Sequence, residues 1–156
     1  MIIYFDTSGL VPLYLPERGS VAARRHAAHA GQIPYTQLHA LELTNAMQLN
    51  RGRAVITAAE LRAVTLQIEE DIQAHRLRET FLDLNDVFRS ARELAQQHSI
   101  PLLCRSLDVL HVAAALHLHC RQFVSADARQ LDLAQAVGLA AVDLRAQPRT
   151  TRRPRS

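Results

Sequence analysis

The sequence predicts an α/β fold on a mostly parallel sheet, one domain over residues 1–144 followed by a basic flexible tail over 145–156. Two observations carry this. Apolar runs of strand length alternate with amphipathic helical stretches, the pattern of strands joined by crossover helices. The first run, Ile2-Ile3-Tyr4-Phe5, is apolar at every position, which suits a strand covered on both faces, as in a parallel sheet.

The elements follow in order. Residues 2–6 read as a strand, with helical stretches near 7–15 and 18–30. "IPYT" (33–36) is a short second strand and 37–51 a helix. Thr57 and Glu60 have capping-box spacing, and Leu61, Val64, Ile68, Ile72 and His75 mark one face of a long helix ending near 77. "ETFLDL" (79–84) reads as a strand, 86–98 as an amphipathic helix, and Pro101 as part of a loop. A helix over 106–119, the strand "QFVSA" (122–126), a helix over 128–137 and the strand "AAVDL" (140–144) complete the chain. No internal repeat or second domain is visible.

Composition narrows the function classes. At 48% hydrophobic residues, the 156-residue chain is long enough to bury a sizeable core. It shows no bilayer-length apolar run and no signal-peptide layout at its start. Cys104 and Cys120 are 16 apart without a CxxC motif, so free thiols and a cytoplasmic setting are expected. All eighteen basic residues are arginine. Arg145, Arg149, Arg152, Arg153 and Arg155 fall in the tail, leaving thirteen arginines against fifteen acids in residues 1–144. The body is mildly acidic, and the tail is either a solubilising extension or an electrostatic grip on phosphates.

Most acids read as solvated surface, Glu69, Glu70 and Asp71 among them. Four break the pattern. Asp6 closes the first strand and is followed by Thr7 and Ser8; ligands bind at the carboxyl ends of parallel strands, although Asp is also a common helix cap. Asp127 closes "QFVSA" in the same way, with Ser125 two residues before it. Glu42 lies on a largely apolar helical stripe with Leu38, Asn45, Ala46 and Leu49, where an outward-bent carboxylate is the alternative. Asp108 belongs to one of the most apolar helices, where a lone buried acid is costly unless first-turn placement explains it.

The economical account is that the four acids converge. Two carboxylates about 5 Å apart repel by roughly 3 kcal/mol at an effective dielectric near 20. Four in one pocket therefore need protonation or a cation. Hard oxygen donors without a Cys/His set favour Mg²⁺, or Mn²⁺ in its place, and such an ion keeps waters that can act on a phosphodiester. Thr7, Ser8, Asn45 and Ser125 have hydroxyl or amide groups to hold those waters or orient the acids.

With these contexts in hand, "IIYFDTSGLV", "LELTNAM", "SLDVLHVAAAL" and "FVSADARQL" resemble a PIN-domain ribonuclease, in particular the VapC-type toxins of bacterial toxin–antitoxin pairs. The resemblance spans residues 2–144. It implies a three-layer α/β/α PIN-like fold and a Mg²⁺-dependent endoribonuclease acting by metal-activated water. The implied catalytic acids are Asp6, Glu42, Asp108 and Asp127, with Asp6, Asp108 and Asp127 as metal ligands. It also implies a homodimer and a cognate antitoxin that blocks the site. Ser125 stands where the last motif often has Thr, which keeps the hydroxyl.

Weaker signals surround these. Arg105 and Arg129 flank the later acids and are candidate RNA phosphate contacts. His111, one turn from Asp108, either bonds that acid, touches substrate or is a satisfied core residue. Asp132 is an extra acid near the site or a solvated one. "HLHC" (117–120) has no facing pair of ligands and reads as structural. Receiver domains and haloacid-type phosphatases share the strand-end aspartate but rely on a lysine, which this chain lacks. No GK[ST] loop is present either. The rivals are a non-catalytic docking module for RNA or a basic peptide, and a housekeeping nuclease with the same metal centre.

Overall fold

A computed structural model describes residues 2–146. Its elements are β1 (Ile3–Phe5), α1 (Thr7–Tyr14), α2 (Ser20–Ala30), β2 (Ile33–Tyr35), α3 (Gln37–Gly52), α4 (Ala58–Gln73), β3 (Leu77–Glu79), α5 (Leu84–Leu102), α6 (Ser106–His117), β4 (Gln122–Ser125), α7 (Ala128–Ala136) and β5 (Ala140–Asp143).

The sheet is parallel throughout its described pairings. β1 pairs with β4, placing Phe5 opposite Val124, and β4 pairs with β5; β2 pairs separately with β3, Ile33 opposite Leu77. β2 lies beside β1. His39 ties the two together, its Nε2–H donating to the Phe5 carbonyl at 2.7 Å while Nδ1 accepts from the Thr36 N–H at 3.1 Å. Burial and the nearby His111 hold His39 down to about 3, so the ring is neutral and one tautomer satisfies both contacts.

Alternation along β1 sorts the core into two layers. Tyr4 packs with Phe123 against Val87 and Ala91 of α5, Val112 and Ala113 of α6 and Leu133 of α7. Ile3 and Phe5 point to the other side, where Leu10, Ala23, Leu43 and Val64 come from α1 to α4. Helices thus flank both faces, and the apolar run of β1 is explained by burial on each. In α6 every residue from Asp108 to Ala115 is buried. Truncating a fully buried ring such as Phe123 to alanine costs about 3–5 kcal/mol.

Several sequence expectations move. The strand read at 79–84 is β3 at Leu77–Glu79, because Leu77 is the residue that enters the core beside Ile33. Phe81 is exposed instead, and Asp83 becomes the cap of α5. The long helix stops at Gln73, and His75 takes a left-handed turn (φ 57°) rather than a helical position. Pro101 lies in the last turn of α5, where its missing N–H forgoes one intrahelical bond just before the helix closes through Leu103 N to Ser99 O at 2.8 Å. Asp71 is not simply solvated: Tyr14 donates to it at 2.8 Å and Arg76 pairs with it at 2.6 Å. Cys104 and Cys120 are free. Among the described residues no helix is long and apolar enough to cross a membrane. Of the predicted tail only Arg145 and Ala146 are described, Arg145 paired with Asp143 at 3.0 Å; residues 147–156 lie outside the described residues.

Candidate active site

The carboxyl ends of β1 and β4 are adjacent in the sheet, so the loops leaving them share one edge. Asp6 leaves β1 there, fully buried, and is the N-cap of α1. Oδ1 accepts the Gly9 N–H at 2.7 Å, and the Ser8 hydroxyl lies 2.9 and 2.8 Å from the two carboxylate oxygens. The Ser125 hydroxyl donates to Oδ2 at 2.8 Å. Capping and site placement are therefore one arrangement. Burial pushes the Asp6 carboxyl above its usual range, against the opposing pull of nearby His111, the two serines and Gly9.

Gly9 makes this packing possible. A Cβ there would lie 2.7 Å from the Val124 carbonyl oxygen, so a side chain would push α1 off β4. Ser8 and Ser125 also stitch the two loops: their hydroxyls are 3.2 Å apart, Ser8 accepts the Ala126 N–H at 2.9 Å, and Ser125 accepts the Asp127 N–H at 2.8 Å.

Asp127 caps α7, accepting the Arg129 N–H at 2.8 Å. Asp108 is buried in the first turn of α6, where Oδ2 accepts the Arg105 N–H at 2.8 Å and Oδ1 the Gln130 amide at 3.2 Å. One guanidinium serves both acids: Arg129 lies 3.8 Å from Asp108 and 3.7 Å from Asp127. The other amide atom of Gln130, Oε1, is buried without a hydrogen-bond partner.

Glu42, on α3, is neutralised differently. Oε2 accepts the Thr7 hydroxyl at 2.7 Å and the Nε2–H of His111, which also faces the Tyr4 hydroxyl through Nδ1 at 2.9 Å. Burial alone would raise the Glu42 carboxyl. The hydrogen bond and charge of His111, with Thr7 and then His39, outweigh it and hold the group below its usual range. His111 thus reaches Glu42 across the site rather than Asp108 on its own helix.

The remaining candidates scatter. Asn45, one turn past Glu42, and Asp132 on α7 are exposed, as is the side chain of Arg105, whose contribution to Asp108 is its backbone N–H. Tyr4, Gly9, His39 and Gln130 had no part in the sequence reading of the site. The one available signal among them was Thr36 three residues before His39, which is cap spacing.

The four acids are thus compensated in three separate ways: hydroxyls and an amide on Asp6, an imidazole on Glu42, a shared guanidinium on Asp108 and Asp127. The donor chemistry at Asp6, Asp108 and Asp127, hard oxygens with the unpartnered amide oxygen of Gln130 on the residue that bonds Asp108, suits Mg²⁺ or Mn²⁺. Their spacing in this structure does not yet do so. Among the described residues no three His, Cys, Asp or Glu side chains gather to hold one ion. An ion at Asp108 and Asp127 would have to displace Arg129.

No protein-family model and no curated protein matches the chain. Its fold is similar to a chain in the crystal structure of FitAcB from Neisseria gonorrhoeae, with a TM-score of 0.62 at 15% sequence identity. The match covers 92% of this chain and 98% of that one. At this identity the likeness is one of fold.

Proposed function

We propose that the chain is a PIN-type, VapC-like endoribonuclease, the toxin of a toxin–antitoxin pair, acting in the cytoplasm with Mg²⁺ or Mn²⁺. The observation that carries the reading is Asp6, a fully buried carboxylate at the carboxyl end of a central strand, beside a second acid-bearing loop. The four site-bearing motifs and the fold likeness to FitAcB support it. A cognate antitoxin as partner and a homodimer as the working unit belong to the same proposal.

In this mechanism Asp6, Asp108 and Asp127 would hold the cation, with Arg129 turned away from the two acids it now pairs. Such an ion would supply Lewis-acid stabilisation of phosphoryl charge and a lowered pKa for water. Glu42 accepts the proton of the attacking water. The new oxygen–phosphorus bond forms in line with the departing ribose O3′, which takes up a proton from solvent, leaving a 3′-hydroxyl and a 5′-phosphate. Ser8 and Ser125 keep the Asp6 carboxylate fixed throughout, and Arg129, once displaced, is free to meet substrate phosphate.

One observation favours a second reading, a docking module without catalysis: the acids are already neutralised by protein groups, and among the described residues no three are placed to share one ion. The experiment that separates the two is cleavage of a panel of structured RNAs by antitoxin-free protein, with Mg²⁺, with Mn²⁺ and with chelator. Metal-dependent cutting that is lost in Asp108→Asn supports the nuclease. Metal-independent RNA or peptide binding without cutting supports the docking module.

A further inference from the structure

His111 is 1% exposed, on a helix where alanines and valines surround it, and a core histidine there needs only two satisfied nitrogens. Its partners are more specific than that. Nδ1 meets the Tyr4 hydroxyl, and the Tyr4 ring is fixed in turn, stacked on Phe123 at 5.4 Å and tilted against His39 at 4.9 Å. The imidazole therefore cannot rotate without breaking the core. Nε2 is aimed at a carboxylate from a different helix, Glu42, whose side chain is one-fifth exposed at the site edge. Thr7, the residue after Asp6, donates to the same oxygen of that carboxylate.

Both of these hydrogen bonds land on Oε2. Oε1 is left as the oxygen that neither engages. A carboxylate held by two donors on one oxygen keeps one rotamer and presents the other oxygen as a proton acceptor.

We propose that His111 is the positioning residue of the site: anchored by Tyr4, it fixes Glu42 through Oε2 and leaves Oε1 to take the proton of the attacking water. The proton-accepting step rests on the nuclease reading; the positioning of Glu42 does not. The groups facing Glu42 are His111 from α6, Thr7 from α1 and His39 from its own helix, so loss of His111 leaves only weaker stabilisation of its charged form.

The test uses full-length His111→Gln, which replaces the anchored imidazole with an uncharged amide that the Tyr4 ring no longer fixes, and Tyr4→Phe, which removes only the anchor. Each is first checked for a cooperative melt. In chelator, the ¹³C titration of the Glu42 carboxyl is expected to move to higher pH in His111→Gln and by less in Tyr4→Phe. In cleavage, the acid limb of the pH profile should rise with it and kcat fall about tenfold to hundredfold at little change in KM, less than losing a general base outright. A Glu42 titration unmoved in folded His111→Gln overturns the positioning, whatever the cleavage result. A titration that moves while the wild-type protein cuts no RNA supports the positioning and overturns the nuclease reading.

Discussion

Asp6 and Asp83 do the same local job in two very different places. Each is the N-cap of a helix, and each accepts backbone N–H groups of the first turn: Gly9 for Asp6; Asn85 and Asp86 for Asp83. Asp83 does this on the surface, at 3.0 and 3.2 Å, with no further side-chain partner among the described hydrogen bonds. Asp6 does it fully buried, with two serine hydroxyls added and its carboxyl pushed up by desolvation. A cap needs an oxygen within reach of a first-turn amide, and that need is met at the surface. Burial and the serines exceed what capping requires, a difference between the two aspartates that sequence grammar does not show.

The widest gap between the two caps should appear in cleavage. Asp6→Asn is expected to lower it at least about a hundredfold, the scale of losing a central electrostatic group, while Asp83→Asn leaves it unchanged. RNA cleavage rates of the two variants at matched concentration check this, and equal rates would erase the distinction. The cradle of Asp6 comes next. Gly9→Ala forces a Cβ against backbone, so destabilisation of about 1–3 kcal/mol is expected in urea unfolding. Asp83→Ala, losing an ordinary surface cap, should cost about 1 kcal/mol and leave metal binding alone. The smallest effect is at Arg129. Its two ion pairs, at 3.7 and 3.8 Å and partly exposed, are each worth about 1 kcal/mol or less. Arg129→Gln should therefore tighten Mg²⁺ binding about twofold to fivefold in calorimetry, and weaker binding would show that Arg129 does not compete with the ion.

The fold was largely legible because burial leaves a pattern. β1 follows from an unbroken apolar run, β4 from the Phe123-Val124 pair at its centre, and α4 from its capping box and stripe. β3 was misplaced because "ETFLDL" has strand-like residues, whereas register with β2 is set by Leu77, which looks unremarkable in sequence. Carboxylates out of place in apolar surroundings did mark burial: Asp6 and Asp108 are buried and Glu42 half-buried. What neutralises each of them was not legible. His111 is one turn from Asp108 in sequence, but its ring reaches Glu42 from a helix about seventy residues earlier. Arg129 bridges two acids because the starts of α6 and α7 meet, a tertiary fact that no local spacing encodes.

The central claim is that Asp6 is held buried at a cost to the fold. A carboxyl raised on folding contributes stability that is complete below its unfolded pKa and is lost as pH rises through the raised value. Above the unfolded pKa the wild-type protein therefore bears a cost, of protonation or of a desolvated charge, that Asp6→Asn does not, and Ser8 and Ser125 can reverse their hydroxyls to accept from the amide. The measurement is the melting temperature of Asp6→Asn against wild type in chelator, at pH 7 and at pH 4. The account predicts that the asparagine variant melts higher at pH 7 and that the advantage shrinks at pH 4. A variant that melts lower at pH 7 would contradict it, and would return Asp6 to the class of ordinary structural caps.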